Sequence, residues 1–363
     1  MSAVPSTPHL SALDAGRGIA ALAVFGYHLK TYFGDIPWLQ GSFLAVDLFF
    51  IMSGFVIARS YDGRLRSGRM RLSSFVRVRV IRLYPLYLLA CGIGFAYFTF
   101  KMAARTEDAP SVQQILAALP GTALLLPSPF TSGWGFTPFP FAPSAWSLSL
   151  EFWCNLVYAA WVIRFRVLGL VVLTLISWVL LIHQALAFGT LDLGWNIATI
   201  PGGMARFWFS FTLGVLVYRL YRPNWVLPPI TLLLLVPVFA FVMMPAGHLT
   251  LGLVWITVVF PAALVIGAAI RVKGLVMWVS DHLGRLSYGI YILHAPIVLF
   301  LTGVFKVILG AAWEDHLALI GWAIIATVLV VSALATYIVD EPLRRALQPK
   351  RPQPVPTEIT RAR

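Results

Sequence analysis

Charged side chains are scarce in this sequence. Only 11% of its 363 residues are Asp, Glu, Lys or Arg, whereas 59% are hydrophobic. Soluble domains carry about a quarter charged residues, so this composition excludes an ordinary soluble enzyme. The sequence instead predicts an all-α integral membrane protein whose helices surround an intramembrane cavity.

Cysteine is equally scarce. The two cysteines, Cys91 and Cys154, both lie in apolar stretches, which excludes a disulfide framework or a zinc cluster and favours a packing role. We expect no metal site. The first ten residues lack a basic segment and a cleavage site, and Asp14 and Arg17 follow them, so the first apolar segment is predicted to be a retained helix rather than a signal peptide.

Acidic residues are few, and the formal net charge is +13. In a soluble chain this excess would suggest a nucleic acid partner. In a membrane protein it is explained more simply by arginine in cytoplasmic loops. We therefore expect no nucleic acid partner.

Ten apolar windows are long enough to span a bilayer. They cover residues 13–32, 42–59, 83–101, 145–163, 168–188, 203–220, 228–246, 250–270, 287–308 and 317–338. If the N-terminus is cytoplasmic, 21 of the 27 basic residues fall on the cytoplasmic side. The positive-inside rule thus predicts ten spans with both termini cytoplasmic.

This topology divides the chain into a cytoplasmic N-terminus (1–12), a membrane domain (13–340) and a cytoplasmic tail (341–363), with a long outer loop at 102–144. The tail is proline-rich from Pro349 onward and is predicted to be disordered. The apolar piece Ile115 to Leu126 of the outer loop is too short to span the bilayer. It is predicted to be interfacial or re-entrant, the alternative being a loop that merely connects.

Arg17 and His28 are unusual residues for a membrane helix. Eleven residues make about three turns plus 20°, so both side chains share one helical face, about 16 Å apart along the axis. An ionisable group in lipid costs at least a few kcal/mol, so such a face normally lines a cavity within the protein. This pattern predicts a site inside the membrane.

Three further ionisable residues within the predicted spans are singled out as candidates. Asp47 is expected near the depth of His28, Glu151 follows Ser147 by one turn, and His294 shares a face with Tyr288 and Tyr291. Each is a candidate site residue. The alternative for each is a hydrogen bond that ties two helices together.

Arg79 and Arg82 form an i,i+3 pair at the predicted cytoplasmic mouth of the third span. Two guanidinium groups on one face suit a phosphate group. The alternative is that both arginines contribute only to topology and to contacts with lipid headgroups.

Six sequence blocks together resemble the membrane-bound acyltransferase 3 family, over nearly the whole chain. They are Leu13-Asp14-x-x-Arg17-Gly18 with His28, Val46-Asp47-Leu48-Phe49-Phe50-x-x-Ser53-Gly54-Phe55, Arg79-x-x-Arg82-x-Tyr84-Pro85-x-Tyr87, Trp146-Ser147-Leu148-x-x-Glu151, Leu286-Ser287-Tyr288-x-x-Tyr291-x-x-His294-x-Pro296 and Glu341-Pro342-x-Arg344-Arg345. The resemblance departs from the usual pattern after Glu151, and the extracytoplasmic SGNH hydrolase-like domain of larger relatives is not found in this sequence.

The resemblance implies an enzyme of the bacterial cytoplasmic (inner) membrane. It would transfer an acyl group, most often acetyl, from cytoplasmic acyl-CoA to a hydroxyl of a glycan, a lipid-linked saccharide or a small molecule. The implied partners are this acceptor, acyl-CoA, the lipid bilayer and polysaccharide-assembly proteins.

The side chains suggest how this chemistry would proceed. His28 is the predicted general base, because a histidine can remove a hydroxyl proton near neutral pH. Asp47 or Glu151 would orient its imidazole. The candidates for stabilising the oxyanion are Tyr288, Tyr291 and Arg17.

The remaining site predictions concern the two substrates. Arg79 and Arg82 are expected to hold the coenzyme A phosphates, and Tyr288, Tyr291 and His294 to contact the same donor. Arg206, near the outer end of the sixth span, is expected to face the acceptor together with Trp146.

Two other functional classes fit parts of the pattern. Intramembrane His, Asp and Glu also form proton relays in transporters, but the sequence lacks the internal repeat that such proteins often have. A structural scaffold for a polysaccharide synthase would leave the polar residues in the spans without an explanation.

Overall fold

The computed structural model describes residues 9–34, 37–128, 137–221, 226–244 and 248–347. Within these ranges the chain is helical and contains no strand, apart from a single β-bridge between Leu227 and Ile270. The predicted fold class, an all-α integral membrane protein, is confirmed. Both cysteines are buried and unpaired.

Fourteen α-helices occur in the described part of the chain. They are α1 (Ser11–Tyr27), α2 (Lys30–Phe33), α3 (Ala45–Ile57), α4 (Gly63–Arg66), α5 (Leu72–Ala103), α6 (Val112–Ala123), α7 (Ala145–Ala160), α8 (Val167–Phe188), α9 (Ile200–Leu220), α10 (Leu249–Val254), α11 (Phe260–Ala269), α12 (Gly274–Leu309), α13 (Leu317–Leu334) and α14 (Glu341–Leu347). Short 3-10 helices and π-helical turns connect several of them.

Six helical stretches of the described chain are long and apolar enough to cross a membrane. The last one, Gly274–Leu347, contains both α12 and α13. These two helices are antiparallel, because Gly289 of α12 packs against residues 332 and 336 whereas Thr302 and residue 321 both contact Tyr32. The count of ten spans, the orientation of the termini and the domain limits remain predictions.

Two predicted spans differ from the structure. The third begins at Leu72 rather than residue 83, so α5 extends well beyond the apolar window. The window 228–246 forms two 3-10 helices, Pro229–Leu235 and Pro237–Met243, instead of one long helix. Pro237 explains the division, because proline has no backbone N–H and disrupts the preceding helical turn.

The helices that carry the candidate site are parallel. A Cβ on Gly284 of α12 would lie 2.5 Å from the Cβ of Asp14 at the start of α1. At the opposite end, the Tyr32 hydroxyl is hydrogen-bonded to Thr302. Two parallel spans have an odd number of crossings between them. Their predicted positions as the first and ninth spans, with seven crossings between, are consistent with this.

Close packing of α3 against α9 depends on glycine. A Cβ on Gly54 would lie 2.0 Å from the Phe211 carbonyl oxygen, and one on Gly214 would lie 2.0 Å from the Ile51 carbonyl oxygen. Only glycine permits this backbone approach. Small residues at helix interfaces are typical of membrane proteins, where van der Waals packing drives association.

Helix α6, in the predicted outer loop, packs against the middle of α5. A capping box formed by Ser111 and Gln114 begins this helix. The Tyr87 hydroxyl donates to the Thr122 carbonyl at 2.8 Å, and Leu125 is completely buried. Residue 87 is near the centre of the 32-residue α5, so α6 packs beside the middle of that helix. Its interfacial or re-entrant position relative to the bilayer remains a prediction.

The predicted tail begins with ordered structure. Glu341–Leu347 is helix α14, and the Arg344 guanidinium donates to the Arg82 carbonyl of α5 at 2.9 Å. The expectation of disorder from residue 341 is therefore wrong for residues 341–347. The proline-rich part from Pro349 lies outside the described residues.

Candidate functional site

Helices α1 and α12 form the framework of the site. Gly18 of α1 is so close to Leu283 of α12 that an added Cβ would lie 2.5 Å from the Leu283 Cβ. The two helices therefore run side by side without an intervening side chain. Arg17 is the seventh of the 17 residues of α1, and His28 directly follows the end of this helix. Two polar clusters lie along these helices, one beside Arg17 and one beside His28.

The first cluster is a cavity lined by arginine. Its volume is about 190 Å³, and its lining residues are His9, Asp14, Arg17, Arg82, Asp281, Gly284, Arg285, Tyr288 and Arg344. Four guanidinium groups thus meet two carboxylates. Such a cavity is too small for a whole drug-sized ligand, but it can hold an anionic part of one.

Contacts within this arginine-lined cavity fix some of its arginines and leave others available. Arg17 lies 3.8 Å from Asp14, and Arg344 is paired with Asp340 at 2.6 Å. No side-chain hydrogen bond or ion pair connects Arg82 to another residue in the described ranges. Arg82 is therefore the arginine of the cavity with most capacity for an anion.

Arg79 is not among the residues that line the cavity. Its guanidinium Nη2 donates to Oε1 of Glu151 on α7 at 2.6 Å, and the side chain is 4% exposed. Ser53 Oγ donates to the same oxygen at 3.1 Å. The predicted pair therefore does not act on one ligand: Arg82 lines the cavity, whereas Arg79 is paired with Glu151. Glu151 is not hydrogen-bonded to His28.

Asp47 and Arg206 form a second intramembrane ion pair. The Arg206 Nη2 atom lies 2.6 Å from Asp47 Oδ2, and neither side chain has any exposed surface. Arg206 also donates to the carbonyl oxygens of Leu193 and Phe43. Its guanidinium lies 5.7 Å from the Trp146 ring. Arg206 is thus placed inside the protein rather than on an open acceptor surface, and Asp47 is not hydrogen-bonded to His28.

The tyrosines of α12 are both hydrogen-bonded. Tyr288 donates its hydroxyl proton to the Leu83 carbonyl of α5. The Tyr291 hydroxyl lies 2.5 Å from Ser147 Oγ on α7. Because a phenol has one proton to donate, Tyr288 has none left for a developing oxyanion. Tyr291 shares its hydrogen bond with another hydroxyl, so its proton can be redirected.

The second cluster contains two histidines. His28 is exposed, and its ring centre lies 5.0 Å from that of His294 and 5.5 Å from that of Tyr27. His294 has no exposed surface. The structure therefore brings together two imidazoles that are 266 positions apart in the sequence, as their numbers show.

Tyr27 and Asp192 were not among the residues selected from the sequence. The Tyr27 hydroxyl donates to Asp192 Oδ2 at 3.2 Å, and the Lys30 ammonium lies 4.2 Å from the Tyr27 ring centre. Burial raises the pKa of the Asp192 carboxyl, and Arg206 and the Tyr27 hydroxyl oppose this shift. Asp192 lies in the loop between α8 and α9, where no helical periodicity marks it in the sequence.

One group of three potential metal ligands was found among the described residues, with ligand atoms within 4.8 Å of one another. It consists of His9, Asp14 and Asp281. His9 is 65% exposed, and Asp14 also contacts Arg17. A guanidinium beside the group competes electrostatically with a metal ion. These residues therefore contribute to the arginine-lined cavity, and we assign no metal to them.

Comparison with known proteins identifies relatives of this chain. The family described as an acyltransferase domain matches residues 10–339. Acyltransferase MdmB of Streptomyces mycarofaciens is 27% identical, with 96% of this chain and 95% of that protein covered. Peptidoglycan O-acetyltransferase OatA of Listeria monocytogenes is 24% identical, with 94% of this chain and 56% of that protein covered.

A further relative, "Protein 2 in picA locus" of Rhizobium radiobacter, is 37% identical over 183 residues, which cover 48% of this chain and 94% of that protein. No solved structure matches this chain significantly.

Proposed function

Because the chain belongs to the acyltransferase 3 family, we propose that it is an O-acyltransferase of the bacterial cytoplasmic membrane that uses acyl-CoA. It transfers an acyl group, in the simplest case acetyl, to a hydroxyl of a surface or exported glycan or of a lipid-linked saccharide. The observation that carries this proposal is the arrangement along α1, with an arginine-lined cavity at one end and an exposed imidazole at the other.

The arginine-lined cavity supports the assignment of the donor site. Coenzyme A carries several phosphate groups, and arginine binds phosphate through paired N–H donors. Arg82, Arg17 and Arg344 surround a volume of about 190 Å³, which suits phosphate groups while the adenosine lies outside. Arg79 then has a supporting role, because it holds Glu151 near the cavity.

The proposed path between the two ends runs beside α1 and α12, because the two helices are in direct contact at Gly18 and Leu283. Tyr288 lines the cavity, Tyr291 lies one turn further along α12, and His294 follows after another turn. The distance from Arg17 to His28 is about 16 Å along the helix. The flexible pantetheine arm of the donor would cover this distance and present its thioester beside His28.

The reaction needs a base, an oxyanion donor and an acceptor hydroxyl. His28 removes the hydroxyl proton, and the acceptor oxygen attacks the thioester carbonyl carbon. The carbon–sulfur bond then breaks, and coenzyme A leaves as the thiolate. Tyr291 is the tyrosine that we assign to the developing oxyanion, because the Tyr288 proton is already used.

The orientation of His28 depends on residues other than those first considered. Asp47 and Glu151 are occupied by Arg206 and Arg79. Tyr27, which contacts the His28 ring and is hydrogen-bonded to Asp192, supports the imidazole instead. Arg206 and Trp146 lie behind this region and support the acceptor site from inside the protein.

Radiolabelled acetyl-CoA tests the proposed activity. Native membranes that contain the protein are incubated with this donor, and the label is followed into glycans, lipid-linked saccharides and small metabolites. The relatives named above act on peptidoglycan in one case, so cell-wall fractions are analysed too. We expect protein-dependent label in an ester that mild base releases.

His28→Asn and His316→Asn form a matched pair for this test. His28 is the proposed base, whereas His316 is an exposed histidine outside the site. We expect a loss of about 100-fold or more for His28→Asn, the range of general base catalysis, and normal labelling for His316→Asn. Full labelling with His28→Asn would disprove the base assignment. Protein-dependent flux of a solute without ester formation would identify a transporter instead.

A further inference from the structure

His294 is a buried imidazole with one free nitrogen. Its Nδ1 atom lies 3.1 Å from the Ile290 carbonyl oxygen, its side chain has no exposed surface, and its Nε2 atom is without a hydrogen-bond partner among the described residues. An unpartnered polar atom in a buried position destabilises the folded protein. Such an atom calls for a functional explanation.

The hydrogen bond to Ile290 determines the tautomer of His294. A carbonyl oxygen can only accept, so Nδ1 carries the proton. The Nε2 atom of the neutral ring is consequently an unprotonated acceptor. It can take up a proton and release it again, while the Nδ1–H bond keeps the ring in place.

The position of His294 relates it to both reaction partners. The His28 ring lies 5.0 Å away on one side, and the Tyr291 ring lies 6.0 Å away on the side that leads towards the arginine-lined cavity. His28 is exposed and His294 is not. A donor thioester that arrives along α12 would thus reach His294 from within the protein, while the acceptor hydroxyl would meet His28.

On the basis of the proposed function, we propose that His294 delivers a proton to the departing thiolate of coenzyme A. His28 takes the proton from the acceptor hydroxyl and passes it, directly or through one water, to His294 Nε2. His294 then transfers it to the sulfur as the carbon–sulfur bond breaks. One proton leaves oxygen and one reaches sulfur, so the products are the neutral ester and the free thiol.

The surroundings support transfer between the rings rather than to another group. The titratable side chains that face the pair are Tyr27, Lys30 and Tyr291, with Asp192 behind Tyr27. No carboxylate in the described ranges is hydrogen-bonded to either imidazole. His294, whose ring lies 5.0 Å from that of His28, is therefore the unprotonated imidazole available to a proton on His28.

His294→Asn separates this chemical role from a structural one. The asparagine amide occupies the place of Nδ1 and can still donate to the Ile290 carbonyl, but nothing replaces Nε2. His316→Asn is the matched control, because His316 has the same type of contact, with Nδ1 2.9 Å from the Ala312 carbonyl, at an exposed position. His28→Asn removes the base together with the source of the His294 proton.

Two donors with different leaving groups provide the measurement. One is acetyl-CoA, and the other is its oxygen-ester analogue, whose alkoxide needs protonation far more than a thiolate does. Native membranes supply the acceptor, and the release of coenzyme A or of its hydroxyl analogue is measured. A titration of each purified variant with acetyl-CoA gives the donor affinity.

We expect His294→Asn to lower the rate with acetyl-CoA by about 100-fold and the rate with the oxygen ester by a larger factor, at unchanged donor affinity. His28→Asn should lower both rates by at least these factors, because it removes the base and also the proton that His294 would deliver. Equal factors for both donors in His294→Asn would overturn the role at the leaving group, even if the activity itself is lost. Full activity of His28→Asn would instead contradict the proposed function.

Discussion

Arg206 and Asp47 form an ion pair in which neither side chain has any exposed surface. The two residues lie on the parallel helices α9 and α3, and every hydrogen bond of the Arg206 guanidinium is made within the protein. Removing one partner of a buried pair leaves an uncompensated charge. This relationship therefore links the two helices, and it does so beside the proposed acceptor region.

Replacing Arg206 by methionine should be strongly destabilising. We expect a loss of about 3–5 kcal/mol, because the Asp47 carboxylate would remain buried without its partner. Intrinsic tryptophan fluorescence during thermal unfolding in detergent measures the change. Arg345→Gln is the control: it breaks a surface pair with Glu341 in which the arginine is 75% exposed, and exposed pairs contribute at most about 1 kcal/mol. Equal effects of the two substitutions would contradict this prediction.

Replacing Arg82 by glutamine should weaken donor binding without unfolding the protein. The Arg82 side chain faces the arginine-lined cavity, and a hydrogen bond to a charged group is worth about 1.5–3 kcal/mol. We expect the KM for acetyl-CoA to rise by about tenfold or more, with little change in the melting temperature. Arg79→Gln should instead lower the melting temperature and change the KM less, since it breaks the buried contact with Glu151. An unchanged KM for Arg82→Gln would remove the phosphate assignment.

Replacing Gly54 by alanine should disrupt the contact between α3 and α9. The new Cβ would lie 2.0 Å from a backbone oxygen that no side-chain rotation can move, and overpacking typically costs about 1–3 kcal/mol. Gly92→Ala provides the comparison, because nothing lies within 4 Å of its added Cβ. We expect Gly92→Ala to be neutral or stabilising, as alanine is the better helix former. Thermal unfolding of both variants decides the matter.

Asp192 and Asp108 should affect the pH dependence of stability in opposite directions. Burial raises the pKa of the Asp192 carboxyl, and the hydrogen bond with Lys101 lowers the pKa of Asp108, both from an ordinary value of 3.8. A raised carboxyl pKa gives stability that is present below 3.8 and lost as the pH rises through the folded-state pKa. A lowered pKa gives stability that is present above 3.8 and lost as the pH falls.

Asparagine substitutions at these two positions test the signs. Relative to wild type, Asp192→Asn should gain stability as the pH rises from 4 to 7. Asp108→Asn should lose stability relative to wild type as the pH rises from the folded-state pKa of Asp108 towards 3.8. Both effects appear as differences in melting temperature across a pH series at constant ionic strength. The same slope for both variants would contradict the assignment.

The class of the protein and the helical spacing of Arg17 and His28 could be predicted from the sequence. Apolar length and scarce charge are properties of the chain alone, and the eleven-residue separation of Arg17 and His28 fixes their common face. The parallel packing of α1 and α12 agrees with the predicted topology. These features depend on helical periodicity, which sequence spacing expresses directly.

The partners of the polar residues could not be predicted in the same way. Asp47 and His28 were expected at a similar depth, but depth does not determine which way a helix face turns, and Asp47 faces Arg206 on α9. Arg79 and Arg82 are three residues apart, yet about 60° of rotation directs one to Glu151 and the other into the cavity. Asp192 lies in a loop, where spacing carries little information.

The direct contact of Gly18 with Leu283 and of Gly284 with Asp14 gives α1 and α12 no room to slide past each other. Under the proposed function, the two helices fix the distance from the arginine-lined cavity to the imidazoles, because the backbone rise alone sets this distance. A donor with a longer or shorter arm would place its thioester at the wrong depth. Selection among acyl carriers would then depend on reach, whereas selection among acyl groups would depend on the space beyond His28.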